Sequence, residues 1–187
     1  AALHTTTTLA SFSLHVRQDG RSPGGRVLDW RQTSTEPDDP LHARFPKANR
    51  LVEFTRVRTI DSVPVGVHRV VTTLAIADRI GLVEALESEE EWSFYALAEQ
   101  AGIHVAGGEE RYSAVLATEE QAQWLELDRP AALLVVERHT VDLSGAPFEA
   151  VRAHYVPGRY DIHAERRRRR FPKSISATKQ SNRLEEE

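Results

Sequence analysis

Two stretches of this chain admit little besides β-hairpins. "LVEFTRVRTIDSVPVGVHRVV" (51–71) and "ALLVVERHTVDLSGAPFEAVRAHYV" (132–156) are dense in β-branched and aromatic residues. Each is divided once, by Asp61-Ser62 in the first and by "DLSGAP" in the second. The predicted strands are Leu51 to Ile60 with Val65 to Thr72, and Ala132 to Val141 with Phe148 to Val156. Hairpins make neighbouring strands antiparallel, which fixes the class as α+β. Further strands are expected at Arg26 to Gln32, after the turn Ser22-Pro23-Gly24-Gly25, and at Glu110 to Ala117. That gives about six strands. No strand-helix-strand unit with a phosphate-binding glycine loop occurs, so a doubly wound nucleotide fold is not expected.

Three helices complete the prediction. Ile76, Ile80, Val83 and Leu86 have helical apolar spacing. "SFYALAEQAGI" has Ser93 as N-cap and Gly102 as its stop. Thr118 and Gln121 form a T-x-x-Q capping box that opens a helix to about Leu127, ended before Pro130. Residues 11–50 otherwise read as an irregular lead-in, and "TSTEPDDPLHARFP" and "ESEEEW" as loops.

Length and charge bound the rest. The 187 residues suit one domain with a real core. There is no cysteine, which excludes disulfides and thiolate metal sites. No apolar run approaches the ~20 residues a bilayer crossing needs, and the start lacks the pattern of a signal peptide, so the chain reads as cytoplasmic. The net charge of -4 conceals an asymmetry. From Arg166 onward there are eight Lys/Arg against three Glu; the remainder has 16 Lys/Arg against 25 Asp/Glu. An acidic body does not suit a nucleic-acid-reading surface. The expected division is a Thr-rich, linker-like 1–10, a domain over 11–165, and a basic tail over 166–187 whose Arg166–Arg170 run is a solvated charge block.

Several side chains could carry chemistry. Arg56 and Arg58 are two apart in a strand and so share a face, where two guanidinium forks can hold a dianion or pair with neighbouring carboxylates. Ser93 and Tyr95 place hydroxyls at a helix start, where an anion is favoured; the alternative is that Ser93 caps its helix while Phe94 and Tyr95 fill the core. Glu149 and Tyr155 share a strand face with Val151 and Ala153, while Arg152 and His154 point the other way. Glu149 would either meet ligand hydroxyls or an amine, or pair with an arginine such as Arg138 on the neighbouring strand. His139 and His154 lie on paired strands, but no third metal ligand stands out, and no metal or cofactor is expected. No nucleophile elbow or nucleophilic cysteine is present.

Taken in order, "ASFSLHVRQDGRSPGGRVL", "FTRVRTIDSVPVGVHRVV", "WSFYALAEQAGIHV" and "YSAVLATEEQAQWLELDRPAALLVVERHTVDLSGAPFEAVRAHYVPGRYDI" resemble the UTRA domain, the effector-sensing half of GntR-family, HutC-type transcription regulators. The resemblance spans about residues 10–163. It implies a chorismate lyase-like antiparallel sheet with flanking helices around a small-molecule pocket. It implies further that Arg56, Arg58, Ser93 and Tyr95 hold an anionic group, that Ser11 and Phe12 join them, and that Glu149 and Tyr155 face the rest of the ligand. Phe94 belongs to the same motif, and His68 stands where such members commonly carry an acid, which argues against an amino-sugar ligand. At neutral pH His68 could be neutral or charged. The implied function is a homodimeric, allosteric, non-enzymatic sensor of a small anionic metabolite: a sugar phosphate, a phosphonate or a carboxylate. The winged helix-turn-helix of such regulators is not in the sequence, so DNA would be read only through that segment. The competing reading is a chorismate lyase-like enzyme acting on a carboxylated substrate.

Overall fold

The computed structural model describes residues 3–5, 11–128 and 130–164. Most of the expected linker 1–10 and the whole of the expected tail 166–187, with its arginine run, lie outside the described residues. In chain order the elements are β1 (Leu3–Thr5), α1 (Phe12–Gln18), β2 (Pro23–Ser34), a 3-10 turn (His42–Arg44), β3 (Arg50–Ile60), β4 (Val63–Thr73), α2 (Leu74–Ile80), α3 (Leu82–Glu87), α4 (Phe94–Gln100), β5 (Val105–Leu116), α5 (Glu119–Trp124), β6 (Ala132–Asp142), β7 (Pro147–Tyr155) and β8 (Ile162–Ala164). β2 to β7 form one antiparallel sheet in the order β2-β3-β4-β7-β6-β5, while β1 and β8 pair in parallel beside it. The expected α+β class and six-stranded antiparallel sheet are observed.

The two hairpins form where the sequence places them. Asp61 and Ser62 turn the first with φ of 50° and 68°, the positive values a two-residue turn between twisted strands requires. Asp61 also accepts bonds from the Ser22 N–H and the Arg21 side chain, which ties the turn to the start of β2. Central strands β3 and β4 are buried on both faces. On one face they carry Phe54, Arg56 and Arg58 opposite Val70, His68 and Gly66, with β7 continuing the rows through Val151, Ala153 and Tyr155. Helices α1, α2 and α4 cover that face through Val16, Ala77, Ile80, Phe94 and Ala98. The other face is apolar at two ends only. Leu41 and Phe45 cover Leu51, Val71 and Ala150 at one end, and Leu125 covers Val57, Val67 and Leu133 at the other. Between them a polar network joins Arg69 to Asp39 and Glu53, with the buried His42 bonded to Glu53.

The helices are six or seven residues long, too short to stand without packing, and most are capped. Ser11, Thr73 and Ser93 each accept a bond from a backbone N–H in the first turn. Thr118 and Gln121 form the expected capping box. Four expectations need correction. Helix α1 forms within a stretch read as irregular, because its only buried residues are Ser13 and Val16 and no longer apolar period develops. The helix expected over 76–86 is two helices, α2 and α3. Gly81 takes the left-handed conformation, φ 66°, which ends α2 and restarts the chain as α3. The helix expected to reach Leu127 ends at Trp124, and Glu126 has a positive φ. Strand β5 starts at Val105, well before Glu110, and runs exposed along most of its length as the outer strand of the sheet.

The expected turn at Ser22-Pro23-Gly24-Gly25 is also revised, since β2 runs through it from Pro23. Gly25 is there for space. A Cβ on it would lie 2.3 Å from the Val57 carbonyl oxygen, 3.2 Å from Arg56 Nε and 3.4 Å from Arg58 Nη1. Gly25→Ala is therefore expected to cost roughly 1–3 kcal/mol, as overpacking does, read as a lower urea midpoint at unchanged slope.

Candidate functional site

The site begins with Arg56 and Arg58. Period-2 alternation on β3 sends Arg56 and Arg58 to the helix-covered face, beside Phe54. Each is only 4% exposed. A bare guanidinium at that depth is costly, so partners are required. The acidic segment between α3 and α4 supplies the main one. Glu91 Oε2 lies 2.6 Å from Arg56 Nη2, and Oε1 lies 3.1 Å from Arg58 Nη2. Arg56 also donates to the Trp92 carbonyl, and Arg58 donates to the Ser13 hydroxyl, each at 2.9 Å. Aromatic faces finish the enclosure, with the Arg56 guanidinium 4.2 Å from the Trp92 ring and Arg58 4.4 Å from the Phe12 ring. Burial and the adjacent Arg58 push Arg56 down to about 9. Burial lowers Arg58 as well, against the pull of Glu91. Both stay charged at neutral pH.

His68 lies directly opposite Arg56 in the strand register. The Tyr155 ring meets it edge-on at 5.1 Å, and Phe12 does so at 5.9 Å. Burial first, then Arg58, Arg138 and Arg56, hold His68 well below its ordinary range, so it is uncharged at neutral pH. That direction favours the neutral one of the two states the sequence leaves open. Two polar atoms here are buried without a partner among the described residues, Arg56 Nε and His68 Nε2. Buried polar atoms are rarely left so.

A second cluster shares the same sheet face. Glu149 on β7, 2% exposed, accepts from the Tyr95 hydroxyl at 2.5 Å and from Arg138 Nε at 3.2 Å. Arg138 also lies near Glu110. Burial alone would lower Arg138, but Glu149 and the surrounding groups raise it. Burial and Glu149 together push the Tyr95 hydroxyl well above the ordinary tyrosine range, so it remains a donor. Tyr155 stacks on Tyr160 at 4.2 Å, and Tyr160 on Phe12 at 5.6 Å, a row of rings beside the arginines and His68.

Arg56, Arg58, His68, Phe12 and Tyr155 are thus brought together, and Glu149 is bonded directly to both Tyr95 and Arg138. Of the two roles left open for Glu149, the pairing with Arg138 is observed, and the Tyr95 hydroxyl is a further partner. Ser11 and Ser93 spend their hydroxyls as helix caps. Phe94 goes into the core against Phe54 and Phe148. His139 and His154 are not brought together, since His139 faces Ala150 and His154 faces Val135; no group of three possible metal ligands exists among the described residues. Sequence reasoning missed Ser13 and Glu91. Ser13 could have been found from its position three residues before Val16 on one helix face; Glu91 had no distinguishing signal within "ESEEEW".

The profile of the UTRA domain family matches residues 18–161. This chain belongs to that family. Its six-stranded antiparallel sheet is the chorismate lyase-like one expected. Its relatives include the HTH-type transcriptional repressor NagR of Bacillus subtilis (strain 168), 23% identical over 153 residues, or 81% of this chain. The chain spans 61% of that relative's length. Among solved structures, the effector domain of PhnF from Mycobacterium smegmatis superposes with a TM-score of 0.75 at 20% identity, covering 88% of this chain and 99% of that one. A PhnF structure from the same organism gives 0.74 at 19%, covering 90% of this chain and 73% of that one. No helix among the described residues is long and apolar enough to cross a membrane.

Two outcomes follow from this UTRA site. Glu149→Ala leaves Arg138 buried beside one fewer charge and is expected to cost about 3–5 kcal/mol, seen in denaturant unfolding. The depressed His68 binds its proton more readily in the unfolded chain, so its contribution is complete above about pH 6.5 and is lost as the pH falls below it. His68→Gln should flatten the decline of stability between about pH 6.5 and 5, leaving the share due to the other depressed histidines, His15, His139 and His154.

Proposed function

We propose that this UTRA domain senses a small anionic metabolite, a sugar phosphate, phosphonate or carboxylate, and performs no catalytic step. In the intact regulator, of HutC type and cytoplasmic, binding would control a winged helix-turn-helix that reads DNA. The observation that carries the reading is a pair of buried guanidinium groups side by side on one sheet face, with Arg56 Nε and His68 Nε2 unsatisfied beside them. Arg56 and Arg58 neutralise the anion, Ser13 and Tyr95 offer hydroxyls, and Phe12 and Tyr155 form aromatic walls. Glu149 faces the uncharged part of the ligand. Neutral His68 suits a hydroxyl or an anionic oxygen and disfavours a ligand ammonium. Family membership supports the regulatory reading, as does the repressor named among the relatives. A ligand shifts such a domain only by its differential affinity for two conformations.

The active form would be a homodimer joined at sheet edges. The outer strand β5 supports this, because it is exposed and carries Tyr112, Val115 and Leu116 in the open. A second copy would be the natural cover for it.

A thermal-shift panel of sugar phosphates, phosphonates and small carboxylates tests the reading. At a hundred times its Kd, a ligand adds about 2.7 kcal/mol of apparent stability. Arg58→Ala is expected to keep the fold and lose most of that shift. A variant that responds like its parent would remove Arg58 from the site, and release of pyruvate from chorismate would replace the sensor with an enzyme.

A further inference from the structure

The seat formed by Arg56 and Arg58 already holds an anion. The two oxygens of Glu91 divide between the two guanidiniums, and Oε1 also lies 3.4 Å from the Ser13 hydroxyl. The carboxylate thus touches the donors that an incoming anion would use. Glu91 arrives from the connecting segment between α3 and α4, outside the sheet. Its side chain is 23% exposed, whereas those of its two arginine partners are 5% exposed. An exposed arm reaching down to buried partners is the arrangement of a removable plug, and the sheet-borne arginines are the fixed part.

Charge balance then decides what can remove it. Two guanidiniums against one carboxylate leave a surplus of one positive charge. His68, neutral at this depth, adds nothing to either side. A monocarboxylate that displaces Glu91 restores only the charge it evicts, and must also offset the ordering it loses as a separate molecule. A dianionic phosphoryl or phosphonyl group cancels both guanidiniums. It also has three terminal oxygens for the donors that Glu91 serves with two.

We propose that Glu91 is the resident occupant of the arginine seat, and that competition with it selects effectors bearing a dianionic phosphate or phosphonate over those bearing a single carboxylate. This rests on the anion-sensor reading above, and narrows its ligand class. Glu91 is then a specificity residue. It lowers affinity for every anion by the fraction of time the seat is filled, and only a doubly charged guest recovers the difference.

The test is isothermal titration of the 187-residue chain with inorganic phosphate, mostly dianionic at pH 8, and separately with acetate. The parent is expected to bind phosphate and not acetate. Glu91→Gln is expected to bind phosphate about tenfold tighter or more, to acquire acetate binding, and to melt lower without ligand. Glu91→Asp, with a shorter reach and its charge kept, is expected to fall between the two and serves if the Gln variant does not fold. A Gln variant whose phosphate and acetate affinities match the parent's, in a chain where Arg58→Ala still abolishes phosphate binding, overturns the competition and leaves the sensor reading standing. Phosphate binding indifferent to Arg58→Ala, or the absence of both phosphate and acetate binding from every variant, overturns both; acetate binding without phosphate binding overturns the competition alone.

Discussion

Burying two like charges next to one another is the constraint around which this domain is arranged. A guanidinium that leaves water must recover its hydration from somewhere, and two neighbours repel while they do so. Arg56 and Arg58 recover it from four kinds of partner: a carboxylate, a hydroxyl, a carbonyl and ring faces. Those partners come from two parts of the chain outside the sheet. Ser13 and Phe12 belong to α1, and Glu91 and Trp92 to the segment before α4. The arginines therefore organise the layer that covers them, and that layer is built of short helices that could not persist alone.

The sheet supplies what the covering layer lacks, a fixed frame. Register places Arg56, His68 and Ala153 in one row and Arg58, Gly66 and Tyr155 in the next. Because the two rows cross strands locked on both sides, the positions of these groups are set by backbone pairing and not by loop conformation. The far face keeps its charges in a satisfied network around Arg69 and Glu53. Of the buried polar side-chain atoms left unsatisfied among the described residues, Arg56 Nε, His68 Nε2 and Thr140 Oγ1 fall on the helix-covered face, and His139 Nε2 falls on the far one.

Much of this was legible in the sequence, for reasons that differ by element. The hairpins were readable because β-branched runs broken by short turn signals have few other solutions. The shared face of Arg56 and Arg58 followed from a period of two. The caps at Ser93 and Thr118 followed from local backbone chemistry. What escaped was set by contacts distant in sequence. Glu91 is one of four glutamates in six residues, and only the fold selects it. Gly25 read as a turn because a glycine kept for close approach resembles one kept for φ. The single helix over 76–86 was broken by Gly81, whose left-handed conformation no apolar periodicity can report. Ser11 and Ser13 differ by two positions, and the chain uses the first to start α1 and the second to meet Arg58.

Glu91 and Tyr95 lie four residues apart on one uninterrupted piece of backbone. The first grips the arginine pair, and the second grips Glu149 on the opposite side of the same face. That piece spans both halves of the site like a strap fastened at each end. Loosening one buckle changes the tension on the other. The two buried charge clusters are thus tied to one another along the polypeptide itself, apart from the sheet beneath.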